Sequence, residues 1–104
     1  MNDYLTRHTL DERMNESSRV LTRYGDRVPV IVQRQEGNDK LPDLDKHKYL
    51  VPSDMTIGEF VYIIRKRIRL SQDQAIFIFV NNVLPPTSAC ISQVYNDHKN
   101  EDGF

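Results

Sequence analysis

Apolar residues along this chain follow two rhythms, and the changes between them mark its elements. Over "TLDERMNESSRVLTRYG", Leu10, Met14, Leu21 and Tyr24 fall on one helical stripe with Val20 beside it, which predicts an amphipathic helix. Thr9, with Glu12 three residues on, makes a capping box for its start, and Gly25 suits its stop. "RVPVIVQR" then alternates, with Val28, Val30 and Val32 on one face and Pro29 and Ile31 on the other. "QEGNDKLPDLDKHK" is polar and reads as a loop. "KYLVP" is a short second strand that Pro52 ends or marks as an edge, so the two strands predict a hairpin with a long connection.

Thr56 and Glu59 form a second capping box, opening "TIGEFVYIIRKRIRL". Ile57, Phe60, Val61, Ile64 and Ile68 give the stripe of a packed helix, Ile63 widens it, and Arg65 to Arg69 place charge where the C-terminal dipole favours it. "AIFIFV" is a continuous apolar run of strand length, which predicts an interior strand. Asn81-Asn82 turns it and Pro85-Pro86 stiffens the exit. "TSACISQVYNDHK" predicts a last short helix with Ile91, Val94 and Tyr95 inward. Asp102-Gly103 is a turn signal, and Phe104 reads as the first residue of another strand. Helix, strand, strand, helix, strand, helix and a strand start is the order of an α+β, β-grasp fold.

Composition narrows the classes. The chain has 104 residues, a net charge of −1 and one cysteine, so it predicts one small domain with no global field for nucleic acid and no internal disulfide. No apolar run approaches the roughly 20 residues of a membrane span, and "MNDYLTRHTL" lacks the apolar core of a signal peptide; a cytoplasmic protein is expected.

Signals for catalysis are weak. Cys90 and His98 on one helix stand about 12 Å apart in rise, too far for a nucleophile and its base, so Cys90 reads as a small buried core residue. His8, His47 and His98 have no metal-like spacing, and no Gly-rich phosphate loop occurs; neither a metal nor a cofactor is expected. The basic run Arg65-Lys66-Arg67-Ile68-Arg69 lacks interleaved aromatics, which leaves a solvated helix end or recognition of an acidic peptide. The strands supply an apolar setting for the latter. Pro29 and Ile31 share a face with Leu50 and Lys48, while Tyr49 and Val51 point the other way, toward Phe60, Ile63 and Ile64. An edge strand with an apolar depression on each side suits an extended peptide bound by strand addition.

The stretches "RVPVIVQR", "DKHKYLVPSDMTIGEFVYIIRKRI", "AIFIFVNNVLPPTSA" and "VYNDHKNEDGF" resemble the autophagy-related ubiquitin-like modifiers, the family of the light-chain-3 and gamma-aminobutyric-acid-receptor-associated proteins. The resemblance runs from Arg19 to Phe104. It is looser before that, with Leu10 where an aromatic is common, and the loop from Glu36 to Leu41 is about one residue longer than expected. It implies a ubiquitin-like β-grasp domain over residues 27–104, lacking its last strand, behind an N-terminal helical segment of two helices over residues 1–26. It also implies a non-catalytic modifier that binds aromatic-x-x-aliphatic motifs with acidic flanks on autophagy receptors and adaptors. By position, the aromatic pocket would be Glu16, Val20, Pro29, Ile31, Lys48, Leu50 and Phe104, and the aliphatic pocket Tyr49, Val51, Pro52, Met55, Phe60, Ile63 and Ile64. Arg27, Lys46, Lys48 and Arg67 would meet the acidic flanks.

The resemblance further implies a processing protease, conjugation enzymes, and a terminal Gly joined to phosphatidylethanolamine on autophagosomal membranes. The 104 residues stop before that Gly and before the last strand. A chain ending at Phe104 is therefore expected to be marginally stable or to depend on a strand from another molecule, and to be inert in lipid conjugation. Two other readings stand beside this one: a ubiquitin-like adaptor in vesicle trafficking or cytoskeletal binding that is never lipid-linked, and a small nucleic-acid binder.

Overall fold

The computed structural model describes residues 3–35, 42, 44, 46–70 and 74–104. Six elements follow in order: α1 (Asp3–Arg7), α2 (Leu10–Arg23), β1 (Arg27–Ile31), β2 (Lys48–Pro52), α3 (Ile57–Arg67) and α4 (Ile91–His98). Both capping boxes form, Thr9 with Glu12 and Thr56 with Glu59, so the first orphan amides of α2 and α3 are met by their own sequence. The loop length expected between Glu36 and Leu41 lies outside the described residues.

β1 and β2 pair antiparallel with Val28 opposite Val51, Val30 opposite Tyr49 and Ile31 opposite Lys48. Val32 N–H continues the ladder to the His47 carbonyl at 2.8 Å. Because hydrogen-bonded pairs alternate along an antiparallel ladder, the backbone groups of residues 28, 30 and 32 face β2, and those of 31 and 33 face away. On β2, the groups of Tyr49 and Val51 face β1, and those of Lys48 and Leu50 face outward.

One face of the hairpin builds the core. Val28, Tyr49 and Val51 pack with Ile57, Phe60, Ile64 and Ile68 of the α3 region and with Ile91 and Val94 of α4. Val30 and Val32 lie against this cluster, as the alternation predicts. Leu44 joins it from within the polar connection, where no periodicity marks it. Backbone bonds from Ile57 to Ala89, Gly58 to Thr87 and Ile91 to Met55 tie the start of α3 to the start of α4.

Three sequence expectations are corrected. The stripe on α2 is not a core face: Met14 and Leu21 are exposed, and the residue that α2 buries is Ser17. Residues 75–79 join no ladder among the described residues; Val80 makes only the isolated bridge to Val83 across the Asn81-Asn82 turn, whose two residues have positive φ. Ile76, Ile78 and Val80 pack on the core, whereas Phe77 is 67% exposed and Phe79 52%, so the run is buried on one face only. Cys90 is half-buried and precedes α4 as its N-cap residue.

Candidate functional site

β2 presents an outer edge with unlike groups on its two faces. On the side toward α2, Glu16 is the organising group. It accepts from the Tyr4 hydroxyl at 2.5 Å and from Lys48 Nζ at 2.7 Å. Burial pushes the Glu16 carboxyl up, but those two donors outweigh it and hold it below the ordinary range. Burial and then the Glu16 carboxylate raise the Tyr4 phenol, so the ring remains a neutral donor. Lys48 Nζ stands 5.3 Å from the centre of the Tyr4 ring, and the ring meets Phe104 edge-on at 5.1 Å.

Of the aromatic-pocket residues named from sequence, Glu16, Lys48 and Phe104 thus converge on Tyr4. Ile31 and Val20 are half-buried, and Leu50, opposite Pro29, is exposed. Pro29 is fully buried and serves as floor rather than wall. Tyr4 itself went unread in the sequence, because α1 is too short to show a period.

On the opposite side, Tyr49, Val51, Phe60 and Ile64 belong to the core cluster. Tyr49 and Phe60 meet edge-on at 5.9 Å. Ile63 is 38% exposed, and Pro52 and Met55 are half-buried, so these three carry the accessible apolar surface. Lys46 Nζ and the Arg67 guanidinium both lie over the Tyr49 ring, at 5.2 and 5.8 Å. Arg27 Nη1 reaches the Leu50 carbonyl at 3.4 Å. All four cations expected to meet acidic flanks therefore contact β2 or a side chain bonded to it.

A second group missed by the sequence reading fastens α2 to the chain's last turn. Arg13 Nε pairs with Asp102 Oδ2 at 2.9 Å, and Ser17 Oγ donates to the Asp102 carbonyl at 2.5 Å. Phe104 N–H donates to Asp102 Oδ1 at 3.0 Å, which sets Phe104 beside Tyr4. Among the described residues no group of three or more His, Cys, Asp or Glu side chains is placed to hold a metal, and no helix is long and apolar enough to cross a membrane.

Two leading helices, a hairpin packed with α3, and an apolar run before α4 define the class: a ubiquitin-like β-grasp domain with an N-terminal helical extension, α+β in make-up. The family model described as "Autophagy protein Atg8 ubiquitin like" matches residues 12–104. Autophagy-related protein 8d of Arabidopsis thaliana is 57% identical over 97 residues, which is 93% of this chain and 80% of that protein. Autophagy-related protein 8 of Candida albicans is 56% identical over 97 residues, 93% of this chain and 71% of that protein. The crystal structure of Trypanosoma brucei ATG8 superposes with a TM-score of 0.91 at 39% identity, covering 97% of this chain and 86% of that one. The chain belongs to the Atg8 family of ubiquitin-like autophagy proteins. It is a ubiquitin-like modifier of autophagy.

Proposed function

We propose that the outer edge of β2 takes up an extended aromatic-x-x-aliphatic segment of autophagy receptors and adaptors. The observation that carries this is the outward-facing backbone of Lys48 and Leu50, on a strand whose Lys48 joins the Tyr4–Glu16 group and whose Tyr49 meets Phe60. Strand addition supplies backbone hydrogen bonds, and side chains two or more residues apart reach the apolar residues on either side of the strand. Arg27, Lys46, Lys48 and Arg67 favour acidic residues beside the motif. The family further supports attachment of the complete protein to phosphatidylethanolamine by conjugation enzymes after a processing protease, with residence on autophagosomal membranes.

Titration with a Trp-x-x-Leu peptide carrying acidic flanks tests the site. Micromolar binding is expected, and Leu50→Glu or Ile31→Glu should each weaken it by about 2 kcal/mol or more, as loss of an anchor pocket does. Undiminished affinity in both variants refutes it.

A further inference from the structure

α2 and the turn at Glu101–Gly103 enclose a shallow groove of about 350 Å³, to which neither Tyr4 nor any residue of the β-hairpin contributes. Met14, Ser18, Leu21 and Thr22 form its α2 wall, and Glu101 to Gly103 form the other. Ser17 closes the floor, 3% exposed and bonded to the Asp102 carbonyl. Phe104 is not part of the groove and stands against Tyr4 instead. Met14 and Leu21 lie two turns apart on one stripe, 45% and 36% exposed. Ser18, small and exposed, stands between them and leaves room for another backbone to come close along the helix. Two large apolar side chains that share a groove, rather than lying scattered, mark a contact surface.

The charges around this pair have one sign. Two charged side chains line the groove, Glu101 and Asp102, and Asp102 is neutralised by Arg13 at 2.9 Å, so the exposed Glu101 carboxylate sets its character. Asp11, also exposed, lies one turn before Met14 on the same side of α2. The exposed cations of this part of α2, Arg19 and Arg23, project from the far side of the helix, about 140–180° round from Met14 and Leu21. Arg23 lies over the Tyr24 ring there, at 5.6 Å. We propose that the groove docks an amphipathic helical segment of another protein, whose apolar stripe seats on Met14 and Leu21 and whose flanking Lys or Arg residues meet Glu101 and Asp11. The helical form follows from spacing, since anchors two turns apart along α2 match the i, i+3, i+4, i+7 stripe of a second helix laid beside it. The cationic flank follows from the sign of the charge. A second copy using this same face would bring acidic charge to an acidic surface, which disfavours it. The groove shares no residue with the β2 edge, so it stands or falls apart from the peptide site proposed there.

The probe is a synthetic helix-forming peptide, acetyl-Leu-Lys-Ala-Leu-Leu-Lys-Ala-Leu-Lys-Ala-Ala-Leu-amide, titrated into the 104-residue chain. The NMR signals of the Met14 and Leu21 methyl groups should shift in proportion to peptide bound. The same peptide with each Lys replaced by Glu should bind about fivefold more weakly or worse, as the loss and reversal of exposed pairs requires. A copy broken by two Pro residues should not bind, because it cannot form the helix. Leu21→Asp should weaken binding about tenfold or more, as loss of an anchor does. Glu101→Lys should weaken binding of the Lys peptide and strengthen that of the Glu peptide. The peptide arms are read on the unaltered chain and need no variant to fold. Unshifted Met14 and Leu21 signals at saturating peptide, equal binding of the Lys and Glu peptides, or displacement by the Trp-x-x-Leu peptide would each overturn the proposal. So would self-association that shifts the same two signals before any peptide is added, which would give the groove to a second copy.

Discussion

Glu16 is held below the ordinary carboxylate range against its own partial burial, because Lys48 Nζ and the Tyr4 hydroxyl both donate to it. A carboxyl whose folded value is depressed adds stability above its unfolded value, and that stability is lost as pH falls through the folded value. The window therefore opens just below the ordinary value of 4.5 and extends downward. Glu16→Gln should flatten the acid limb of the stability curve there, measured by urea unfolding at a series of pH values. At neutral pH the cost should be only about 0.2–1 kcal/mol, since Lys48 is half in solvent. An unchanged acid limb would mean that the triad does not hold Glu16 in its charged form. The same protonation should free Lys48 for acidic peptide flanks.

Helix α2 is seated chiefly by polar contacts, and this explains where its sequence misleads. A stripe of Leu10, Met14, Leu21 and Tyr24 marks a helix correctly but not its docking face, because Met14, Leu21 and Tyr24 stay exposed while Ser17, two turns from either end, is 3% exposed against the turn at Asp102-Gly103. Long-range partners 85 residues apart leave no local pattern to read. By contrast β1, β2 and α3 were legible, since alternation and a capping box are local signals that tertiary packing reinforces. The "AIFIFV" run was read as an interior strand because periodicity reports apolarity and not the neighbour that a ladder needs. The alternation of β2 was legible, but Tyr4 and Leu44 were not, Tyr4 because α1 is too short to show a period and Leu44 because it lies in a polar connection.

The clamp on α2 also carries a prediction. Gly103 has φ +89, and a Cβ there would collide with the Ser17 side chain. Gly103→Ala should therefore cost about 2 kcal/mol or more, from left-handed strain plus overlap. In a Ser17→Gly background the same change should cost less, read from paired denaturation curves. Equal costs would show that the overlap is relieved elsewhere.

For the molecule as a whole, charge is arranged locally rather than in bulk. The net charge is −1, yet Arg27, Lys46, Lys48 and Arg67 gather along one strand. Acidic or phosphorylated residues ahead of a bound peptide's aromatic should strengthen binding by about 0.2–1 kcal/mol per exposed pair, and raising the salt to about 1 M should remove most of that gain. Affinity that ignores salt would show that the strand's cations play no part. The bond from Arg13 to Asp102 spans 89 positions of sequence. Joining such distant points is among the slower steps of folding, because the entropy of closing the loop must be met before the contact repays it. During synthesis α1 and α2 are made well before their partners Asp102 and Phe104. These helices thus wait for distant chain before they are seated, and Tyr4 stays open to chaperones at least until Phe104 has emerged.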